Sequence, residues 1–268
     1  MKGGWDCHAH LFGPYGCYPL AADRSYTPPE APVAQYLALL RGMGLSHGVL
    51  VQPSAYGEDH GLLFDILAAY PALRGVVVMR QGASKLLRGL RSKGVRAARF
   101  SHRPGAGANF RGSASFEDLL QMSGALADAG LHAELWTDCA SLPAIAAQLK
   151  ALPVPVVIDH MGGFDVTASP DDPGFRCLLA LLEHGQAWVK LCLYRNVPGM
   201  TDLEAGRPFH DELVKANPQR LLWGSDWPHL RVNPQPDAAH LLQTFKHWVG
   251  DVGVIDSILT GNPESLYG

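Results

Sequence analysis

The sequence predicts an α/β protein that folds as a single (β/α)8 TIM barrel spanning residues 1–268. Two observations predict this fold: eight short apolar runs occur along the chain, and amphipathic stretches lie between them. Near-continuous apolar runs are typical of parallel strands buried on both faces, and eight of them alternating with helices is the count of this barrel. A doubly wound open sheet is the alternative. Its first strand usually leads into a glycine-rich turn, whereas the first apolar run here leads into His-Ala-His.

The eight predicted strands are each four to six residues long and mostly apolar. In chain order they are Trp5–His8, His47–Gln52, Gly75–Met79, Val95–Phe100, His132–Trp136, Val154–Asp159, Trp188–Leu193 and Arg220–Trp223.

Six stretches with apolar residues at helical spacing predict helices that connect the strands. They are Ala34–Gly42, Phe116–Asp128, Leu142–Leu149, Gly174–His184, Asp211–Asn217 and Asp237–Trp248. Ser115 stands directly before the second of these stretches, and Asp118 follows it three residues later. This spacing is close to that of a capping box, which marks the start of a helix.

The composition excludes several classes of protein. Hydrophobic residues make up 47% of the chain and charged residues 18%, which excludes a disordered protein. The net charge is −3 and no basic run occurs, so we expect no nucleic-acid partner. We also expect no membrane span and no secretory signal, since no apolar run is long enough. Five cysteines without Cys-x-x-Cys spacing favour reduced thiols in the cytoplasm over disulfides or structural zinc.

Ionisable side chains follow three of the predicted strands. His8 and His10 end the first strand, Asp159-His160 ends the sixth, and Asp226 follows the eighth. Because the chemistry of these barrels lies at the carboxyl ends of the strands, these side chains are expected to converge. Taken singly, each histidine could be a satisfied core residue and the aspartate a helix cap. Together they predict a catalytic group in which a carboxylate acts as general base for water.

A second set of residues predicts a substrate with negative charge. Arginines hold carboxylates by paired hydrogen bonds, and three arginines lie at or just beyond strand ends, where solvated surface cations are the alternative. Two hydroxyl groups and one aromatic ring complete the set of candidate binding residues, which are Arg99, Arg195, Arg103, Tyr26, Ser54 and Trp136. We therefore expect a small anionic molecule as the partner of this site. The oligomeric state does not follow from the sequence.

Three motifs resemble the amidohydrolase superfamily, and they occur in order along the chain. They are His8-Ala9-His10, Asp159-His160-Met161-Gly162 and Leu222-Trp223-Gly224-Ser225-Asp226-Trp227-Pro228-His229. Shorter stretches, including Leu11-Phe12-Gly13-Pro14 and Asn262-Pro263-Glu264-Ser265-Leu266-Tyr267, extend the resemblance over nearly the whole chain. Within the superfamily these residues look most like the branch of pyrone-dicarboxylate and sugar lactonases.

The resemblance implies a TIM barrel and the hydrolytic opening of a lactone in a carboxylated small molecule. It implies that His8, His10 and His160 polarise the lactone carbonyl, that Asp226 activates the water, and that no metal is required. It also implies a role in aromatic degradation. Two positions depart from this pattern. Gly163 stands where the branch has a substrate-binding arginine, and Trp136 stands where it has an aromatic hydroxyl, so a substrate with a single carboxylate or with hydroxyl groups is also consistent.

Two other functions are compatible with these residues. A divalent-metal-dependent amidohydrolase or decarboxylase of the same superfamily would place zinc or manganese on His8, His10, His160 and Asp226. Glu134 has the strand parity of an inward residue, so it is either a further ligand or, as we favour, a charged group paired low in the barrel. A non-enzymatic binding protein is the third hypothesis, which the presence of all four catalytic positions disfavours.

Overall fold

The computed structural model describes residues 3–82, 84–105, 109–185, 187–197, 199 and 202–268, which form one barrel of eight parallel strands. The strands are β1 (Trp5–Ala9), β2 (His47–Val51), β3 (Leu73–Val78), β4 (Val95–His102), β5 (His132–Thr137), β6 (Val156–Ile158), β7 (Ala187–Leu191) and β8 (Leu221–Trp223). Each strand pairs with the next along the chain, and a two-residue strand at Ala114–Ser115 adds to β4. The predicted fold class is confirmed.

The ring closes just beyond the ends of β1 and β8. Ala9 and Trp227 form a parallel bridge. The backbone N–H of His10 donates to the carbonyl of Trp227 at 2.8 Å, and the N–H of Asp226 donates to the carbonyl of His8 at 2.8 Å. Closure therefore brings the polar ends of the first and last strands into direct contact.

Nine α-helices of the described residues surround the barrel. They are α1 (Val33–Met43), α2 (Gly61–Ala69), α3 (Phe116–Asp128), α4 (Leu142–Ala151), α5 (Pro173–Glu183), α6 (Arg207–Ala216), α7 (Ala238–Val249), α8 (Val252–Asp256) and α9 (Asn262–Tyr267). Between β3 and β4 the residues that the structure describes form only short 3-10 turns, Ser84–Leu87 and Arg91–Lys93. No helix in the described part of the chain is both long and apolar enough to cross a membrane.

The helices differ from the prediction in three places. Helix α2 is nearly all apolar, so it has no amphipathic period to detect, and the short helices α8 and α9 fall below the length at which a period is visible. Helix α6 begins at Arg207 rather than near Asp211, because Pro208 stands in its first turn, where the missing N–H costs no helical bond. The capping box of α3 is present: Ser115 accepts from the N–H of Asp118 at 3.1 Å.

The barrel interior changes from apolar to ionisable along the strands. Its lower part is one apolar cluster, comprising Trp5, Cys7, Val49, Val51, Val76, Ala97, Val157, Trp188, Leu222 and Tyr267. Two residues beyond Trp188 on β7, Lys190 is fully buried, and so is Glu134 on β5. Because a buried charge without a partner is very unfavourable, this layer is expected to hold paired ions.

Candidate active site

The four residues predicted to be catalytic lie together at the carboxyl end of the barrel. Nε2 of His8 lies 3.3 Å from Nε2 of His10. Oδ1 of Asp226 lies 3.3 Å from Nε2 of His10 and 3.7 Å from Nε2 of His8. The ring centroids of His8 and His160 are 4.8 Å apart. All four side chains are buried, so their charges and hydrogen bonds are weakly screened by water.

A buried network beneath the last strand fixes the turn that carries Asp226. The backbone of Asp226 is left-handed, with φ of 56°. Just before it, Ser225 donates to the carboxylate of Asp6 through its N–H at 2.8 Å and its hydroxyl at 2.6 Å. The hydroxyl of Tyr36 donates to the same carboxylate at 3.2 Å. Burial raises the pKa of Asp6 to about 6, although the hydrogen bonds from Ser225 oppose this shift.

A left-handed turn after β6 directs His160 toward the other histidines. Residues 160–162 have φ values of 51°, 55° and 70°, so the chain turns directly after the strand, which ends at Ile158 rather than at the predicted Asp159. At Gly162 φ is 70° and a Cβ atom would lie 2.8 Å from Cδ2 of Leu178, so both the backbone conformation and the packing favour glycine there. The side chain of Asn196 donates to the carbonyl of His160 at 3.0 Å and holds the turn.

The two oxygens of the Asp226 carboxylate have different surroundings. Oδ2 accepts from Nε of Arg195 at 2.6 Å and from the hydroxyl of Tyr194 at 2.7 Å. Oδ1 has no hydrogen-bond partner among the described residues and faces the histidines. Burial alone would raise the pKa of Asp226, but Arg195 and His160 hold it well below its usual range. The group is therefore a carboxylate with one free oxygen.

Lys190 is a buried residue of the candidate site that the sequence analysis missed. Its Nζ donates to Oε2 of Glu134 at 2.5 Å and lies 3.2 Å from Nδ1 of His8 and 3.4 Å from Oδ1 of Asp159. Glu134 also accepts from the hydroxyl of Tyr267 at 2.7 Å. Although burial disfavours its charge, Glu134 and Asp159 raise the pKa of Lys190, so it is an ammonium ion. A lysine at an inward position of an apolar strand was the signal that could have identified it.

Two of the predicted substrate arginines are engaged by carboxylates of the protein. Arg99 contacts Oδ2 of Asp159 through Nε at 3.0 Å and Nη2 at 2.9 Å. Arg195 uses Nε for Asp226 and Nη1 for the carbonyl of Leu230 at 2.8 Å. Burial would raise the pKa of Asp159, but Lys190 and Arg99 hold it well below its usual range. Both arginines therefore position acids, and only their remaining N–H groups are left for a substrate.

The hydrogen bonds restrict the protonation of the histidines. Nδ1 of His10 lies 2.7 Å from the carbonyl of Val51, which only accepts, so this nitrogen carries a proton and Nε2 carries a lone pair when the ring is neutral. Burial, and then the charge of Lys190, lowers the pKa of His8 well below its usual range. Burial lowers the pKa of His160 to about 4. His8 and His160 are therefore neutral near pH 7.

A cavity of about 460 Å³ opens above these residues. It is lined by three of the four predicted catalytic residues and by all six predicted binding residues: His10, His160, Asp226, Tyr26, Ser54, Arg99, Arg103, Trp136 and Arg195. Its remaining wall includes Phe110, whose ring stacks on that of Trp136 with centroids 5.1 Å apart. His8 lies below the cavity floor, in contact with Lys190.

The donor set also fits a divalent metal ion. His8, His10 and Asp226 each offer one ligand atom to a common point, and His8, Asp159 and His160 form a second such group. The free Oδ1 of Asp226 is a buried polar atom without a partner in the described residues, which suits a cation. Three protein ligands and an open position are typical of catalytic zinc sites. His8 belongs to both groups, and each of its ring nitrogens can bind a metal ion in only one of them.

The chain is similar to two characterised hydrolases over nearly its full length. It is 32% identical over 279 residues to 4-sulfomuconolactone hydrolase of Rhizobium radiobacter, covering 100% of this chain and 90% of that protein. It is 32% identical over 282 residues to the 2-pyrone-4,6-dicarboxylate hydrolase of Comamonas testosteroni, covering 99% of this chain and 90% of that protein.

A solved structure and a family model agree with this similarity. The structure of a probable 2-pyrone-4,6-dicarboxylic acid hydrolase from Acinetobacter baumannii, with citric acid bound, superposes with a TM-score of 0.84 at 27% identity, covering 100% of both chains. The model of the amidohydrolase family matches residues 5–268. With the strand-end histidines and aspartate of this barrel, these matches identify the chain as a member of the amidohydrolase family.

Proposed function

We propose that this protein is a lactonase, a carboxylic ester hydrolase that opens the ring of an anionic lactone such as 2-pyrone-4,6-dicarboxylate or an acidic sugar lactone. The observation that carries the proposal is the state of Asp226, which is ionised, held at one oxygen and free at the other on the cavity wall. Relatives named as lactone hydrolases support the reaction class.

In this proposal Asp226 is the general base. Arg195 and Tyr194 hold Oδ2, so Oδ1 is oriented toward a water molecule above the histidines. Oδ1 accepts one proton as the water oxygen attacks the carbonyl carbon of the lactone. A positioned carboxylate of this kind contributes about 10²–10⁴-fold to the rate.

His8 and His160 stabilise the negative charge that attack places on the carbonyl oxygen, whereas neutral His10 has its proton on Nδ1 and no N–H facing that oxygen. Lys190 can donate to Nδ1 of His8, which leaves the His8 proton on Nε2, facing the site. His160 is a second neutral donor candidate. A well-placed donor to the developing oxyanion contributes about 10²–10³-fold to kcat. When the ester C–O bond breaks, the proton taken up by Asp226 passes to the leaving ring oxygen, which yields a hydroxyl group and a carboxylic acid that then ionises by releasing its proton to solvent.

We propose that this reaction needs no metal. In the absence of substrate a metal-free set of hydrogen bonds supports this: Lys190 donates to His8, His8 Nε2–H donates to Nε2 of His10, and His10 Nδ1–H donates to Val51. In this proposal the His8 Nε2–H donates to the carbonyl oxygen instead of to His10 once the substrate is bound. A metal-dependent amidohydrolase or decarboxylase is the second candidate, because His8, His10 and Asp226 converge, with His160 beside them. A bound zinc or manganese ion would supply a Lewis acid there. It would require the other tautomer of His8, with Nδ1–H donating to Asp159, which lies 3.3 Å away.

We also propose that the enzyme works in the cytoplasm, in the breakdown of aromatic compounds. All five cysteines are free thiols, which suits a reducing compartment. Fractionation of the source cells, followed by immunodetection, would test the location. Detection only in a periplasmic or extracellular fraction would contradict it.

The first experiment is hydrolysis of 2-pyrone-4,6-dicarboxylate by chelator-treated, dialysed protein, with the ultraviolet absorbance of the pyrone as the signal and the residual metal content measured in parallel. Turnover at substoichiometric metal is the expected result. Turnover that appears only after zinc or manganese is added would favour the second candidate. If the chain opens none of 2-pyrone-4,6-dicarboxylate, 4-sulfomuconolactone and galactarolactone, with or without these metals, the proposed reaction is wrong.

A further inference from the structure

Arg231 is a fourth arginine on the wall of the cavity. It follows the turn that carries Asp226, and its guanidinium carbon lies 4.4 Å from the centroid of the Phe110 ring. Its backbone is left-handed, with φ of 61°, a conformation that is unfavourable for residues other than glycine and is often kept at functional sites. The side chain is solvent-accessible at the mouth of the cavity.

Arg231 differs from the other cavity arginines in its charge partners. Arg99 is paired with Asp159, and Arg195 with Asp226. Arg103 has Nε 3.7 Å from a carboxylate oxygen of Asp138. Within the described residues, Arg231 makes no salt bridge and no hydrogen bond through its side chain, so its charge is not neutralised by the protein there.

The acidic residues around the cavity do not supply that partner. Asp226 is held by Arg195 and Tyr194, as described above. Asp165, the other acidic lining residue, accepts from the N–H of Thr167 at 2.9 Å and from its hydroxyl at 2.7 Å. Burial, together with the positive charge of Arg195, lowers the pKa of Arg231. Among the described residues, Arg231 therefore brings a positive charge without a direct carboxylate partner to the mouth of the cavity, and an anionic ligand would supply that partner.

The stacked rings of Phe110 and Trp136 position the guanidinium of Arg231 to bind an oxyanion. Its guanidinium lies over Phe110, and Phe110 stacks on Trp136 at an interplanar angle of 9°. A guanidinium held over an aromatic ring keeps its edge N–H groups available for two parallel hydrogen bonds to a carboxylate or sulfonate. Position 163 supplies no cation, because it is a glycine. Its φ is 54°, and a Cβ atom there would lie 3.0 Å from the carbonyl oxygen of Thr137, so a side chain at this position is disfavoured.

We propose that Arg231 binds a second anionic group of the substrate at the mouth of the cavity, so that the lactone is a dianion whose distal group is a carboxylate or a sulfonate. This inference rests on the proposed lactonase function. The first anionic group faces the remaining N–H groups deeper in the cavity, and the distal group pairs with Arg231. The subsite selects dianionic over monoanionic lactones.

The kinetic test compares 2-pyrone-4,6-dicarboxylate with 2-pyrone-6-carboxylate in the wild type and in Arg231→Gln. Arg111→Gln is the matched control, because Arg111 is exposed and close in sequence to Phe110 but does not line the cavity. In Arg231→Gln we expect kcat/KM for the dicarboxylate to fall about 10- to 100-fold, mainly through KM. The fall for the monocarboxylate should be at least about tenfold smaller. Equal falls for both substrates, or no fall for the dicarboxylate, would overturn the assignment.

A binding test separates this inference from the reaction. Isothermal titration with isophthalate, 3-sulfobenzoate and benzoate, none of which is a lactone, measures the subsite without turnover. Selective weakening of the first two in Arg231→Gln, but not in Arg111→Gln, supports the subsite even if no lactone is hydrolysed. The stronger of the two identifies the distal group as carboxylate or sulfonate. Equal affinity of the wild type for benzoate and both dianions would reject the subsite.

Discussion

Nζ of Lys190 lies 3.2 Å from Nδ1 of His8 beneath the cavity, where both side chains are fully inaccessible to solvent. The contact links the buried ion pair of Lys190 and Glu134 to a histidine of the proposed oxyanion site. It therefore connects the stability of the barrel to the tautomer of the His8 ring.

The first prediction concerns this contact. Lys190→Met leaves the Glu134 carboxylate buried without its cation, so we expect the free energy of unfolding to fall by about 3–5 kcal/mol. The double variant Lys190→Met/Glu134→Gln removes both charges and should regain much of that loss. Its kcat should stay at least about tenfold below wild type, because His8 has lost the donor at Nδ1. Urea unfolding and steady-state kinetics measure the two effects. A double variant with wild-type kcat would show that Lys190 acts only in stability.

The second prediction concerns the base. Asp226→Asn keeps the shape of the side chain but removes the proton acceptor, so kcat for the preferred lactone should fall by about 10²–10⁴-fold. The amide oxygen of asparagine can still accept the hydrogen bonds of Arg195 and Tyr194, so the circular dichroism spectrum should remain that of the folded barrel. Asp165→Asn is the matched control, since Asp165 lines the cavity but bonds to Thr167 rather than to the histidines. Asp226→Asn with more than a tenth of wild-type kcat would exclude this residue as the base.

The third prediction concerns acid pH. The pKa of His160 is lowered to about 4, so the ring is neutral above that pH and gains a proton below it. Titration of His160 should therefore leave kcat/KM unchanged down to about pH 5 and lower it as the pH decreases through about 4. In His160→Asn, which has a neutral amide at this position, that acid limb should disappear from the remaining activity. An acid limb centred near pH 6.5 that disappears in His160→Asn would contradict the neutral, buried state of this ring.

The fourth prediction concerns stability and pH. Asp6 has a pKa of about 6 in the folded chain against 3.8 for an aspartate in water, so the folded state binds its proton more tightly than the unfolded state. Its protonated form stabilises the fold fully below pH 3.8, and this contribution is lost as pH rises through 6. The stability of Asp6→Asn relative to wild type should therefore increase between pH 4 and pH 7, by an amount on the order of 3 kcal/mol.

Urea unfolding at the two pH values measures that difference. Asp23→Asn, a substitution at an exposed aspartate, serves as the control for general charge effects. If the difference in stability between Asp6→Asn and wild type is the same at both pH values, the pKa of the Asp6 carboxyl group is not raised in the folded chain.

The sequence by itself determined the barrel and the identity of the four strand-end residues. Buried parallel strands are apolar along their whole length, so they are visible in a local window, and the barrel topology brings their carboxyl ends to one face. This is why His8 and Asp226, at opposite ends of the chain, could be expected to meet. Helix α2 was not predicted, because its sequence is nearly all apolar and has no polar face.

Only the tertiary structure decided how these residues are oriented and charged. Lys190 and Glu134 are 56 positions apart, and their pairing across the barrel leaves no local pattern. The direction of the His160 ring depends on a left-handed turn packed against Leu178. The three arginines expected at the substrate each lie beside a protein carboxylate, whereas Arg231 at the cavity mouth was not expected there. Hydrogen bonds and ion pairs depend on distances between strands, and a sequence specifies those only through the packing of the whole chain.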